Sequence, residues 1–182
     1  AGLTCAELLR RGGRNVAVFD KARGPGGRSS TRRSDAVSMD HGAQFFTLRS
    51  ESFRNFLQPY FEDGTVREWP GPFLHIDSSG GHYVESHAHP RYVFCPSMNQ
   101  LCKQLAQTQE LLTNCRISAM QHEPEGWWLQ NEQEQWYGPF SRVLCSAPPA
   151  QTAALYRGHS ALSQLLERID MLPCYTLMLV PR

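Results

Sequence analysis

The spacing of apolar positions changes character along this chain, and each change predicts an element. Leu3, Ala6 and Leu9, with Leu8 alongside, share one face at helical spacing and predict a helix over 4–11, ended by Gly12-Gly13. The nearly continuous apolar run 15–20, closed by Asp20, predicts a buried parallel strand. From Glu51 the pattern is amphipathic, with Phe53, Phe56, Leu57, Tyr60 and Phe61 on one face, an aromatic stripe read as core. Short strands over 65–69 and 91–94 flank a Pro-, Gly- and His-rich stretch, 70–90. The segment 95–106 reads as a capped helix, with Ser97 as N-cap and Met98, Leu101, Cys102 and Leu105 as its buried stripe. Strands at 115–123, 127–131 and 135–140, with turns at Glu125-Gly126 and around Glu132-Gln133, predict an antiparallel meander. A buried strand over 142–146 follows, stopped by Ala147-Pro148-Pro149, then helices over 150–157 and 160–169 and a strand over 173–180.

Composition narrows the class. At 182 residues, 41% hydrophobic and 19% charged, the chain is globular rather than disordered or fibrous. No apolar run approaches the roughly 18 residues of a membrane span. The start Ala-Gly-Leu-Thr-Cys has no signal-peptide layout and is read as internal to a longer sequence. Six cysteines without a C-x-x-C pair suit reduced thiols in a cytoplasmic protein. His82, His87 and His89 have ligand-like spacing, but no Cys or carboxylate set accompanies them, so a polar loop is expected and no metal. The net charge of +1 is uneven: residues 1–33 hold eight basic side chains against Glu7 and Asp20. A positive end suits a phosphate-bearing partner, and charge alone leaves nucleotide and nucleic acid both open.

Helix, tight turn, strand and acid form the second half of a βαβ dinucleotide-binding unit. Gly2 can be the third fingerprint glycine, which lets helix and strand pack closely, and Asp20 follows it by 18 positions as the ribose acid. A Gly-rich basic loop, Gly24-Pro25-Gly26-Gly27-Arg28, comes next; its glycines allow close approach of a ligand, and its N–H groups with Arg28 can hold phosphate oxygens.

Gly2-Leu3, Asp20-Lys21, Gly26-Gly27-Arg28 and Asp40-His41-Gly42-Ala43-Gln44-Phe45-Phe46, in that order, resemble the beginning of the flavin-containing amine-oxidase superfamily, most closely its renalase-like bacterial branch. The resemblance implies an α/β fold: a Rossmann-like FAD-binding domain with an inserted β-meander, plus parts of an α+β substrate domain. It divides the chain into 1–50 (FAD domain, first part, with the initial strand and first fingerprint glycines expected before Ala1), 51–95 (substrate-domain excursion), 96–158 (FAD domain with meander) and 159–182 (start of a second substrate segment). It implies that Gly2, Leu3, Asp20 and Lys21 serve the fingerprint and ribose, and Gly26, Gly27 and Arg28 the pyrophosphate and flavin side. Gly42, Ala43, Gln44 and Phe45 would lie beside the isoalloxazine, the backbone of Ile117 at the adenine, and Ala147 where the chain returns to the main sheet. Asp40 is expected to be structural, and His41 and Gln44 flavin-proximal rather than catalytic.

By the same resemblance, non-covalent FAD takes hydride from a small reduced substrate and O2 reoxidises it, giving H2O2. Renalase-like members imply dihydro isomers of NAD(P)H as substrates; amine oxidases imply amines. Because the cofactor carries such chemistry, no acid–base pair is needed; none is seen, and the catalytic residues stay unassigned. Relatives cap the flavin with a later glycine-rich segment, so these residues alone are expected to bind FAD poorly and to be inactive. Neither nucleic acid nor membrane is expected as a partner. Two other classes remain. A nucleic-acid module would use the basic end with Trp127, Trp128 and Trp136 and show steep salt dependence. A Rossmann-type NAD(P)-dependent dehydrogenase would not need the Gly26-Gly27-Arg28 extension, and flavin absorbance separates it.

Overall fold

The structure, a computed structural model, describes residues 1–34, 37–84, 89–156 and 160–180. The chain forms two compact units: Ala1–Pro25 with Gln104–Tyr175, and Gly26–Lys103 with Thr176–Arg182. His87, one of the three histidines singled out above, lies outside the described residues.

The first unit opens with α1 (Gly2–Arg11) and β1 (Ala17–Phe19). Between them Gly13 takes φ 74°, a left-handed conformation that glycine adopts without Cβ strain. β1 pairs in parallel with β8 (Glu110–Leu112) in the register Ala17↔Glu110, and Asp20 N continues the ladder to Leu112 O at 2.9 Å. The inward face of α1 differs from expectation. Leu8 and Leu9 are 56% and 38% exposed, whereas Ala6 and Glu7 are buried. A buried carboxylate is tolerable when it is fully hydrogen-bonded. Glu7 accepts from Arg10 Nε and Nη2, from Arg11 Nε at 2.7 Å, from Gln109 Nε2 at 2.9 Å and from Thr108 Oγ1 at 3.1 Å. Those bonds hold its pKa down at about 2, the arginine contacts contributing most.

The predicted meander is present as β9 (Ile117–Glu123), β10 (Gly126–Asn131) and β11 (Trp136–Phe140), with β10 in the middle. Phe19 of β1 packs edge-on against Tyr137 and Phe140, with centroids at 5.0 and 6.0 Å. Asn131 staples the β10–β11 turn: its Oδ1 accepts from Gln133 N and Gln135 N at 2.9 Å each. Trp127 and Trp128 are half-buried, and Trp127 meets His122 edge-on at 4.8 Å, so this pair serves packing. α4 (Pro149–Leu155) and α5 (Ser160–Glu167) follow.

Two predicted strands are absent. Residues 142–146 have no ladder partner and Leu144 is 66% exposed; 173–180 likewise run without pairing. Apolar composition favours an extended chain, but a strand exists only through its ladder, and none of the described strands pairs with either segment.

In the second unit β2 (Thr31–Arg33) and β3 (Ser38–Asp40) form a hairpin. α2 (Glu51–Glu62) is capped by Ser50 Oγ, which accepts from Phe53 N, and buries Leu57 completely. β4 (Val66–Glu68) pairs antiparallel with β7 (Tyr92–Phe94). Phe46 stacks on Phe94 at 4.6 Å and joins Tyr92 through a two-way backbone bridge. The Pro-, Gly- and His-rich stretch contains a further hairpin, β5 (Leu74–Ile76) with β6 (His82–Val84), turned around Asp77. The last helix of this unit, α3 (Gln100–Ala106), contains the unit boundary. It starts two residues later than an N-cap at Ser97 predicts because the turn before it is otherwise engaged: Ser97 Oγ donates to Asn99 Oδ1, and Met98 N donates to Asp40 Oδ1.

Candidate functional site

In the first unit, backbone and side-chain bonds gather the expected residues from distant parts of the sequence. A Cβ on Gly2 would stand 2.7 Å from Ser146 Oγ, so α1 begins in close approach to the segment carrying Ala147, and any side chain there would require the Ser146 hydroxyl to turn away. Leu3 follows, half-buried. At the other end of β1, Asp20 uses Oδ1 to accept from Ala22 N at 2.9 Å, while its second carboxylate oxygen has no hydrogen-bond donor among the described residues. Asp20 O accepts from Cys115 N and Ala22 O from Asn114 N, which brings the start of β9, and so Ile117, beside the acid. Lys21 Nζ donates to Gln151 Oε1 at 2.9 Å, tying the same turn to α4. Ala147 O is held by Thr152 Oγ1 at 3.0 Å. Gly2, Asp20, Lys21, Ile117 and Ala147 thus belong to one connected set, with Ser146, Asn114 and Gln151 as members that no sequence pattern marked.

The second unit brings its two motifs into direct contact. Gly26 has φ 149° and Gly27 φ 51°, both on the left-handed side, and together they open a single 3-10 turn, Gly27–Ser29. Ala43 N donates to Arg28 O at 2.8 Å. A Cβ on Gly42 would lie 2.1 Å from Arg28 O and 2.9 Å from its carbonyl carbon, a distance no real Cβ tolerates. Ser30 Oγ is 3.3 Å from His41 Nε2, and Thr31 Oγ1 donates to Asp40 Oδ1, so Asp40 to Ala43 lie against Arg28, Ser30 and Thr31. Asp40 therefore holds β2, β3 and the turn at Met98 together, a structural part as expected.

What these segments leave free is chemically specific. Nothing lies within 4 Å of where a Gly27 Cβ would be, and the exposed Arg28 guanidinium has no partner among the described residues. Exposed N–H groups of a glycine turn beside an unengaged guanidinium suit phosphate oxygens. Ala43 and Gln44 are exposed and Phe45 is half-buried. His41 Nδ1 is buried with no hydrogen-bond partner among the described residues, a polar atom that could serve a bound group. The first unit, taken by itself, offers an acid with a spare acceptor oxygen suited to a hydroxyl, and the second, taken by itself, a glycine turn suited to phosphate oxygens. Among the described residues no group of three His, Cys, Asp or Glu is arranged to hold a metal, and no helix is long and apolar enough to cross a membrane.

Comparison with known proteins bears on the fold. Residues 1–60 match the family model of an NAD(P)-binding Rossmann-like domain. Two solved structures of putrescine oxidase are similar in fold, the wild type bound to putrescine and a triple mutant from a structure-based redesign of cofactor binding. Each aligns with a TM-score of 0.66 and 13% identity over 88% of this chain and 60% of the other. The chain therefore spans 60% of the length of those oxidase chains. The fold is α/β with a Rossmann-like dinucleotide-binding domain.

Proposed function

We propose that the chain supplies part of the cofactor site of a cytoplasmic FAD-dependent oxidoreductase of the renalase-like type, acting on dihydro isomers of NAD(P)H. The observation that carries this reading is the bond from Ala43 N to Arg28 O, with Gly42 pressed on the same carbonyl. A dinucleotide fingerprint alone requires neither motif; two motifs built into one turn of the second unit are what the flavin-binding resemblance implies. When bound, FAD would accept hydride from the substrate and pass the electrons to O2, giving H2O2. The chain's own residues bind and orient. Asp20 would accept from a ribose hydroxyl with its spare oxygen, next to Gly2, Leu3 and Lys21. The N–H groups of Gly26 and Gly27 with Arg28 would hold the pyrophosphate. Gly42, Ala43, Gln44 and Phe45 would border the flavin ring, the backbone of Ile117 the adenine, and Ala147 the returning segment. The substrate-domain parts are assigned to 51–95 and 159–182, and the dinucleotide parts to 1–50 and 96–158.

A second reading, oxidation of an amine, is favoured by the likeness to putrescine oxidase bound to putrescine. The two are separated by anaerobic titration of the protein at its natural length. On the first reading it purifies yellow and is bleached by isomeric dihydronicotinamides. Bleaching by amines alone would transfer the assignment to the second reading, and a colourless protein that takes up no FAD would remove both.

Asp20→Ala tests the fingerprint itself. Removing one charge-assisted acceptor costs about 1.5–3 kcal/mol, so FAD affinity should fall about tenfold or more with the fold intact. Unchanged affinity in a flavin-release titration would mean the ribose lies elsewhere.

A further inference from the structure

In the first unit the chain passes from the parallel ladder into the meander through residues 113–116, which lie against the turn that follows β1. Both ends of this passage are anchored. Leu112 closes the ladder, its carbonyl accepting from Asp20 N at 2.9 Å. Cys115 is buried, with Sγ 3.8 Å from Tyr137 Oη and 3.9 Å from Asn131 Nδ2 of the meander. Between these anchors Asn114 takes φ 51°. Asn is enriched in that left-handed conformation, whereas a β-branched residue is an outlier there. The bend turns two successive N–H groups towards the acid: Asn114 N donates to Ala22 O at 2.9 Å and Cys115 N to Asp20 O at 3.0 Å. With Ala22 N donating to its Oδ1 at 2.9 Å, Asp20 is held at its N–H, its carbonyl and one carboxylate oxygen. The Asn114 side chain is exposed and has no hydrogen bond among the described residues, so the residue acts on this turn through its backbone.

We infer that Asn114 is a positioning residue for the ribose acceptor: its left-handed backbone, not its side chain, sets where the free Asp20 oxygen points. The inference rests on the assignment of Asp20 to a ribose proposed above. A residue that resists φ 51° relieves its strain by drawing 114–115 away from Ala22 and Asp20. The carboxylate must then be ordered anew each time the cofactor binds, which lowers affinity. The test is a double-mutant cycle on the full-length protein, read as FAD affinity in a flavin-release titration. Asn114→Val should weaken FAD by about tenfold and Asn114→Ala by about threefold. Asn114→Gly adopts the left-handed conformation freely and should recover affinity to within about twofold of the parent. In the Asp20→Ala background Asn114→Val should have almost no further effect, because the group it positions is gone. A merely structural role would lower affinity by the same factor in both backgrounds. If the Val variant does not fold, Asn114→Ala completes the same cycle. Equal factors with and without Asp20, or an Asn114→Gly protein as weak as Asn114→Val, would overturn the inference while the ribose assignment stands. If Asp20→Ala itself leaves FAD affinity unchanged, the ribose assignment falls and takes this inference with it, so the two failures are told apart.

Discussion

Gly42→Ala should unfold at markedly lower denaturant than the parent protein, with a loss of at least about 3 kcal/mol. The methyl group would sit 2.1 Å from Arg28 O, against backbone rather than a flexible side-chain tip, so no rotamer change relieves it. One of the two segments must move away, and the bond from Ala43 N to Arg28 O goes with it. Because that bond joins the phosphate-ready turn to the segment assigned to the flavin side, cofactor affinity should fall together with stability. Gly27→Ala is the control: its methyl meets nothing within 4 Å, so only the left-handed φ of 51° is penalised, at about 1 kcal/mol. Urea denaturation of the three proteins decides the matter. A Gly42→Ala protein with the parent's midpoint would show that the two motifs are not in contact.

Glu7→Gln should cost about 2 kcal/mol near neutral pH and almost nothing near pH 2. The carboxylate's pKa is about 2 in the folded chain against 4.5 ordinarily, so the folded state favours its charged form. Stability from a lowered carboxylate pKa is complete above the unfolded value and is lost as pH falls through the folded one. The window is therefore about pH 4.5 down to about 2, with a plateau above. The full shift would be worth more, but Arg10 and Arg11 are 44% and 57% exposed, and water screens their half of the interaction. The measurement is the difference in unfolding free energy between the parent protein and the Glu7→Gln variant across the range from acid to mildly alkaline pH. A difference that stays constant throughout would assign the role of Glu7 to packing and hydrogen bonding without charge.

The elements legible in the sequence are those whose cause is local. The turn glycines, the acid after β1 and the alternating meander all follow from spacing and residue type, and they lie where spacing puts them; of the α2 stripe read as core, only Leu57 is buried, Phe53 being exposed and Phe56, Tyr60 and Phe61 half-buried. The failures share a different cause. Segments 142–146 and 173–180 read as strands because strand composition is local, but ladder partners are not. The inward face of α1 is misjudged because Leu8 and Leu9 outrank Glu7 in any apolar scale. The donors that make Glu7 burial tolerable come from Arg10, Arg11, Thr108 and Gln109, the last two about a hundred residues away. Hairpin β5–β6 is hidden by the prolines on either side of it and by its Ser78-Ser79-Gly80-Gly81 turn. Within the candidate site, the glycines and Asp20 are visible as motif positions, but the contact between the two second-unit motifs is not, since nothing in either sequence names the other.

The first unit is discontinuous, which has a consequence during synthesis. A ribosome releases β1 first and its partner β8 about ninety residues later, since Ala17 pairs with Glu110. At about 5–20 residues per second, β1 waits roughly 5–20 s with an unsatisfied ladder edge. In that interval nearly all of the second unit, Gly26–Lys103, has already been made. Its hairpins and helix are built from near neighbours and need no such delay. The segment that bears the phosphate-ready turn would thus be complete before the segment that bears the ribose acid has anything to pair with, and slow decoding between Lys103 and Glu110 would prolong the exposure of β1 more than that of any other strand.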